Sequence, residues 1–109
     1  MSDLASKSCS PRSGPALDRA AAERLLAQVP GWTLVPAGNE IQRAVKFRDH
    51  FAAMAFVNAV AWISHREDHH PDLRVGYNTV TVTYSTHSVG GLSENDFICA
   101  AKIDALGAL

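Results

Sequence analysis

Four of the five histidines in this 109-residue chain fall between residues 65 and 87: His65, His69, His70 and His87. Two of them are adjacent, in the stretch Glu67-Asp68-His69-His70-Pro71. Imidazole titrates near neutrality, so a group of imidazoles can both give and take protons at cellular pH. Asp68 beside the pair could orient a ring and favour its protonated form. Thr83, Ser85 and His87 alternate along a second polar face and could supply donors and acceptors. Ser85, Thr86 and His87 end that stretch, where the following loop leaves room for a ligand.

Two other readings compete with acid/base chemistry. Histidines at a helix C-terminus are favoured by the helix dipole, so one of them needs no function. A pair before a proline, with a third on a polar strand face, asks for more. A metal site has partial support, because His65 and His69 are spaced i, i+4 and share a helix face. The stretch His65-Arg66-Glu67-Asp68-His69 is nevertheless not HExxH, no CxxC accompanies it, and adjacent histidines point apart. Acid/base work needs no metal or cofactor, and it suits loss of hydroxide or water from a polar heterocycle.

The elements that must position these groups follow from periodicity. Residues 1–15 are rich in Ser, Pro and small side chains and are expected to form a disordered leader. A single domain over 16–109 should follow. Asp18 caps a first helix with an apolar stripe at Ala21, Leu25, Leu26 and Val29, stopped by Pro30-Gly31. Trp32, Leu34 and Val35, a turn at Ala37-Gly38-Asn39, and a return through Ile41 and Arg43 to Phe47 make a hairpin. Asp49 caps a second helix. Its body, Phe51 to Ile63, holds one polar residue, Asn58, and so is expected to be covered on more than one side, by the sheet and by another subunit. Pro71 disfavours helix at His70 and places the histidine pair at or just past the helix end.

A second hairpin joins Leu73, Val75 and Tyr77, through a turn near Asn78, to residues 79–87. Val80, Val82 and Tyr84 take its apolar face; Thr79, Thr81, Thr83, Ser85 and His87 take the other. After Gly90-Gly91, Ser93 caps a third helix with Asp96 at the N3 position of a capping box. The order α-β-β-α-β-β-α predicts a two-layer α+β domain, with a four-stranded antiparallel sheet and three helices on one face.

Composition narrows the class. The chain is 47% hydrophobic with a net charge of −1, enough for a core and too neutral for bulk attraction to nucleic acid or an anionic membrane. Two cysteines, Cys9 and Cys99, make no disulfide framework and fit a reducing compartment. With no apolar leader segment and no apolar run beyond 13 residues, a cytoplasmic location is expected.

The positions His65, His69, His70, Pro71, Tyr77, His87 and Asp96, together with Gly31-Trp32-Thr33-Leu34 and the stretch Lys46 to Val57, resemble the pterin-4a-carbinolamine dehydratase family over about residues 17–107. The resemblance implies dehydration of 4a-hydroxytetrahydropterin to the quinonoid dihydropterin, recycling the cofactor of aromatic amino acid hydroxylases. It implies catalytic His69, His70 and His87, with His69 and His87 moving protons and His70 holding the pterin. Asp68, Ser85, Thr86 and Ser88 would join them in lining the substrate site, and His65, Pro71 and Asp96 would support it. Many members carry Glu where His65 stands, which implies retained activity with a shifted pH dependence. The resemblance further implies a homodimer or homotetramer. A non-enzymatic binding module, a dimerisation cofactor or assembly chaperone, remains the alternative for the same fold.

Overall fold

The computed structural model describes residues 3–107. Its helices are α1 (Arg19–Leu26), α2 (His50–Glu67) and α3 (Glu94–Asp104), and its strands are β1 (Thr33–Leu34), β2 (Ile41–Lys46), β3 (Asp72–Val75) and β4 (Thr79–Tyr84). The order is the expected α-β-β-α-β-β-α, and the strands form one antiparallel sheet in the order β1-β2-β4-β3. The central pair runs from Ile41 opposite Tyr84 to Lys46 opposite Thr79. β4 alternates strictly: Val80, Val82 and Tyr84 are fully buried, and Thr79, Thr81 and Thr83 are half-buried on the other face. That is the period-2 pattern of a strand with one face in a core.

All three helices start on the side chain their sequence provides. Asp18 accepts from the Ala21 N–H at 2.8 Å and Asp49 from the Ala52 N–H at 2.9 Å. Ser93 and Asp96 close a complete capping box at the start of α3. Such caps each contribute about 1 kcal/mol by satisfying donors the helix leaves open. α3 is the central helix of the core. Phe97, Ile98, Cys99 and Ala100 are fully buried and belong to one cluster with Trp32, Ile41, Val60, Val80, Val82 and Tyr84.

Two expectations need correction. The N-terminal segment is not a loose leader from residue 4 onward. Leu4, its one large apolar side chain among the described residues, is buried (1% exposed) in the core cluster, within a short 3-10 turn, Leu4–Ser6. The Lys102 ammonium donates to the Ala5 carbonyl at 2.8 Å, and Lys7 pairs with Glu94 at 3.1 Å. Composition misjudged this strap because a single leucine and a few backbone acceptors are enough to hold a short segment against an existing helix. The last strand also ends earlier than its alternation suggests. β4 stops at Tyr84, and His87 opens a 3-10 turn, His87–Val89.

α2 presents much of its apolar surface outward. Phe51 is 87% and Trp62 62% exposed in the single chain. Among the described residues, no helix is long and apolar enough to cross a membrane.

Candidate active site

The end of α2 sets the first histidine. Asp68, not Pro71, ends the helix, in the left-handed conformation at φ 52° and ψ 45°. The Asp68 N–H donates to the His65 carbonyl at 3.3 Å, and the His69 N–H reaches the Ser64 carbonyl at 3.1 Å. This crossed pair is a Schellman ending, with aspartate at the position glycine usually takes. Aspartate is among the few residues that tolerate that backbone. The turn fixes the backbone of His69 before any side chain acts.

The imidazole of His69 is then held on two sides. Its ring lies parallel to that of Tyr84, centroids 5.5 Å apart. Its Nε2 is 2.6 Å from Asp96 Oδ1, and the Asp96 side chain is fully buried. The other carboxylate oxygen, Oδ2, accepts from the Thr86 hydroxyl at 2.8 Å and from the Ser93 N–H at 2.9 Å. With its proton given to Asp96, the Thr86 hydroxyl accepts from Ser93 Oγ at 2.7 Å, and Ser93 Oγ accepts from the Asn95 N–H at 3.2 Å. Every donor in this chain points toward the carboxylate. Facing this acceptor, Nε2 of His69 serves as the donor, which leaves Nδ1 as the ring nitrogen not engaged by Asp96.

Asp96 also places His87 indirectly. Thr86, the residue before it, is bonded to Asp96 and bridged to Gly91, the Thr86 N–H reaching the Gly91 carbonyl at 2.6 Å. A Cβ on Gly91 would sit 2.9 Å from the Ala16 Cβ, so this close approach requires glycine. The turn between these anchors carries His87 and Ser88. One buried carboxylate thus ties down the ring of His69 and the loop that bears His87.

These groups converge on a cavity of about 650 Å³. Asp68, His69, His70, Pro71, Ser85, Thr86, His87 and Ser88 all line it. Each of these is among the residues expected at the site from the sequence. His70 is exposed, its Nε2 3.9 Å from Asp68 Oδ1, and so is free to meet a ligand. Asp96 lies behind the wall, reaching the cavity through His69. His65 is not brought in: it is exposed, 6.2 Å from the Trp62 ring between centroids, and it does not line the cavity. Tyr77, part of the resemblance, instead stacks on His50 at the far hairpin, 5.6 Å between centroids. Among the described residues, no group of three or more His, Cys, Asp or Glu is placed to hold a metal ion.

Part of the cavity wall comes from residues the sequence reading passed over. Cys9, Ser10, Pro11 and Arg12 of the N-terminal strap line it, as do Glu67 and Asn95. Glu67 accepts the Cys9 N–H at 2.8 Å. Asn95 accepts from Arg12 Nε at 2.9 Å and donates to the Ser10 carbonyl at 2.8 Å. Nothing in the spacing of these polar residues announces that they meet, since they are separated by more than 50 positions in the chain. Nearby burial has its own effect: the Tyr84 phenol is pushed well above its ordinary value by desolvation.

The family model for pterin 4 alpha carbinolamine dehydratase matches residues 15–106. The chain belongs to that family. It is 56% identical over 106 residues to a Nitrosospira multiformis protein, covering 95% of this chain and 92% of that one. It is 60% identical over 100 residues to a protein of Xanthomonas campestris pv. campestris, covering 90% and 85%. Both carry the name "putative pterin-4-alpha-carbinolamine dehydratase". Among solved structures, the transcriptional coactivator/pterin dehydratase from Brucella melitensis is similar at a TM-score of 0.81 and 33% identity, over 85% of this chain and 99% of that one. A pterin dehydratase-like protein described as a RuBisCO assembly factor in the alpha-carboxysome is similar at a TM-score of 0.54 and 25% identity, over 62% and 77%. The family model begins at residue 15, so the strap that closes one wall of the cavity lies outside it.

Proposed function

We propose that the chain removes water from a 4a-hydroxytetrahydropterin to give the quinonoid dihydropterin, and so recycles the pterin used by aromatic amino acid hydroxylases in the cytoplasm. The observation that carries this reading is the 2.6 Å contact between His69 Nε2 and the buried Asp96 carboxylate. Dehydration needs one group to take a proton from the pterin ring and another to protonate the departing hydroxyl. His69, with Nε2–H committed to Asp96, has Nδ1 ready to accept. As its ring gains charge, the facing carboxylate stabilises it. His87 supplies the second imidazole, and exposed His70, with Asp68, Ser85 and Ser88, binds the pterin. A cavity of about 650 Å³ is within the size range of small-molecule sites. No metal or further cofactor is required for this proton traffic.

Quaternary structure follows the same reading. The exposed Phe51 and Trp62 on α2 support a homodimer or homotetramer built over that face. The two similar structures are described as a transcriptional coactivator and as an assembly factor, and the same face would serve a binding module. The histidine set favours the enzyme, since a scaffold has no use for three imidazoles, His69, His70 and His87, lining one cavity.

The deciding experiment follows dehydration of freshly generated 4a-hydroxytetrahydropterin by ultraviolet absorbance. Wild type, chelator-treated wild type and His69→Ala are compared. Acceleration that survives chelation and falls in the variant is expected. No acceleration by folded wild type would overturn the enzymatic reading and leave the binding module.

A further inference from the structure

The two cysteines, 90 positions apart in sequence, meet in space. Cys9 Sγ is 3.6 Å from Cys99 Sγ, and it also lies 3.6 Å from the Asn95 carbonyl. Both are free thiols; Cys9 is half-buried on the strap, and Cys99 is buried in α3. A disulfide needs the sulfurs at about 2.05 Å, so side-chain movement has to close the remaining gap. Cys9 also lines the cavity, next to Ser10, Pro11 and Arg12.

Among the described residues, the contacts that hold the strap carrying Cys9 are noncovalent and include Leu4 in the core and polar contacts to Glu67, Glu94, Asn95 and Lys102. Ordering each of its residues costs conformational entropy that those few contacts must offset. A covalent link at Cys9 would remove that balance and pin the strap.

We propose that Cys9 and Cys99 form a redox modification site, at which a small-molecule disulfide converts the pair into an intramolecular disulfide that fastens the strap, one wall of the cavity, to α3. The Cys9 thiolate attacks the small disulfide, forming a mixed disulfide and releasing one thiol. Cys99 then attacks the Cys9 sulfur and expels the second thiol, which takes the Cys99 proton. Two protein thiols are oxidised and one small disulfide is reduced to two thiols. The order is set by access. Cys99 is fully buried, and its thiol is held in the neutral form by the Cys9 contact and by burial. Cys9 is the sulfur that meets the oxidant.

The test incubates reduced full-length protein with oxidised glutathione under native conditions, blocks remaining thiols with an alkylating agent, and weighs the intact chain. The expected product carries no glutathione and no alkyl group and is lighter by two hydrogens. Trypsin cleavage after Lys7 and Arg12 should leave the peptide containing Cys9 attached to α3 until a reductant is added. Cys99→Ala should stop at one glutathione on Cys9, which shows the order of attack without relying on the stability of the doubly reduced core. Wild type that retains a stable glutathione adduct, or two alkylatable thiols, overturns the proposal. The readout is mass, so the result is independent of dehydratase activity.

Discussion

The ring of Tyr84 lies against the ring of His69 with planes 11° apart, while its hydroxyl is 3.1 Å from Ser64 Oγ inside the core. One side chain therefore joins the apolar face of β4, the buried polar position of α2 and the imidazole at the cavity. Tyr84→Phe keeps the stack and removes the hydroxyl. It should cost about 1–2 kcal/mol, because Ser64 is left buried with no partner of that kind, while kcat stays close to wild type. Tyr84→Leu should lower both. Urea unfolding with steady-state kinetics on the same preparations separates the two.

Asp96→Asn leaves the volume nearly unchanged and turns one of the two acceptor oxygens into an NH2 donor; Thr86 and the Ser93 N–H claim the remaining oxygen, so the donor faces His69. It can no longer hold the Nε2–H tautomer of His69 or stabilise its charged form. We expect kcat to fall by about 10²–10⁴-fold, the usual range for lost acid/base assistance, with a smaller change in KM. The variant also weakens the capping box, so its unfolding midpoint should drop as well. A fall in stability with unchanged kcat would separate Asp96 from the chemistry.

Alkaline stability has a definite sign. Burial raises the Tyr84 phenol, and the Cys9 contact with burial raises the Cys99 thiol. The native chain keeps these protons, while the unfolded chain releases them near 10.0 and 9.0. Their contribution is complete below pH 9 and is lost as pH rises beyond it. Each group adds a slope of about 1.4 kcal/mol per pH unit in that window. Urea midpoints measured from pH 7 upward should fall less steeply above pH 10 in Tyr84→Phe than in wild type.

Asp68 holds a left-handed backbone with its side chain 99% exposed. Asp68→Gly should raise stability by about 1 kcal/mol by removing the Cβ penalty of that conformation. It should also weaken pterin binding if Asp68 touches the ligand, and leave kcat alone. Calorimetry and KM read the two effects separately.

Trp62→Glu places a charge on the exposed face of α2. If that face joins copies of the chain, sedimentation should show a smaller particle with unchanged secondary structure. An unchanged mass would move the self-interface elsewhere.

Much of the fold could be read from local rules. Asp18, Asp49 and Ser93 each cap the helix they precede, and the alternation of Val80, Val82 and Tyr84 faces the core. What escaped depends on contacts distant in sequence. The departure of His87 from the strand follows from the Thr86–Gly91 bridge and the Thr86 bond to Asp96, neither of which leaves a periodic trace. The burial of Leu4 depends on a pocket formed by α3 nearly the whole chain away. His65 had the right spacing to reach His69 on a helix face, but the helix ends in a turn that carries His69 inward and leaves His65 in solvent. The clustering of His69, His70 and His87 around one cavity was legible; local rules gave Asp96 only its place in the capping box, and its role at the site came from resemblance alone.

Asp96 performs two tasks with one side chain, starting a helix and presenting a charge to an imidazole. Natural selection acting on foldability alone would retain it. A descendant that had abandoned pterin chemistry for a scaffolding role could still be obliged to keep the aspartate, while its histidines drifted. In surveys of related genomes, an aspartate at this position is therefore poor evidence of a working enzyme, and the imidazole facing it is the character to score.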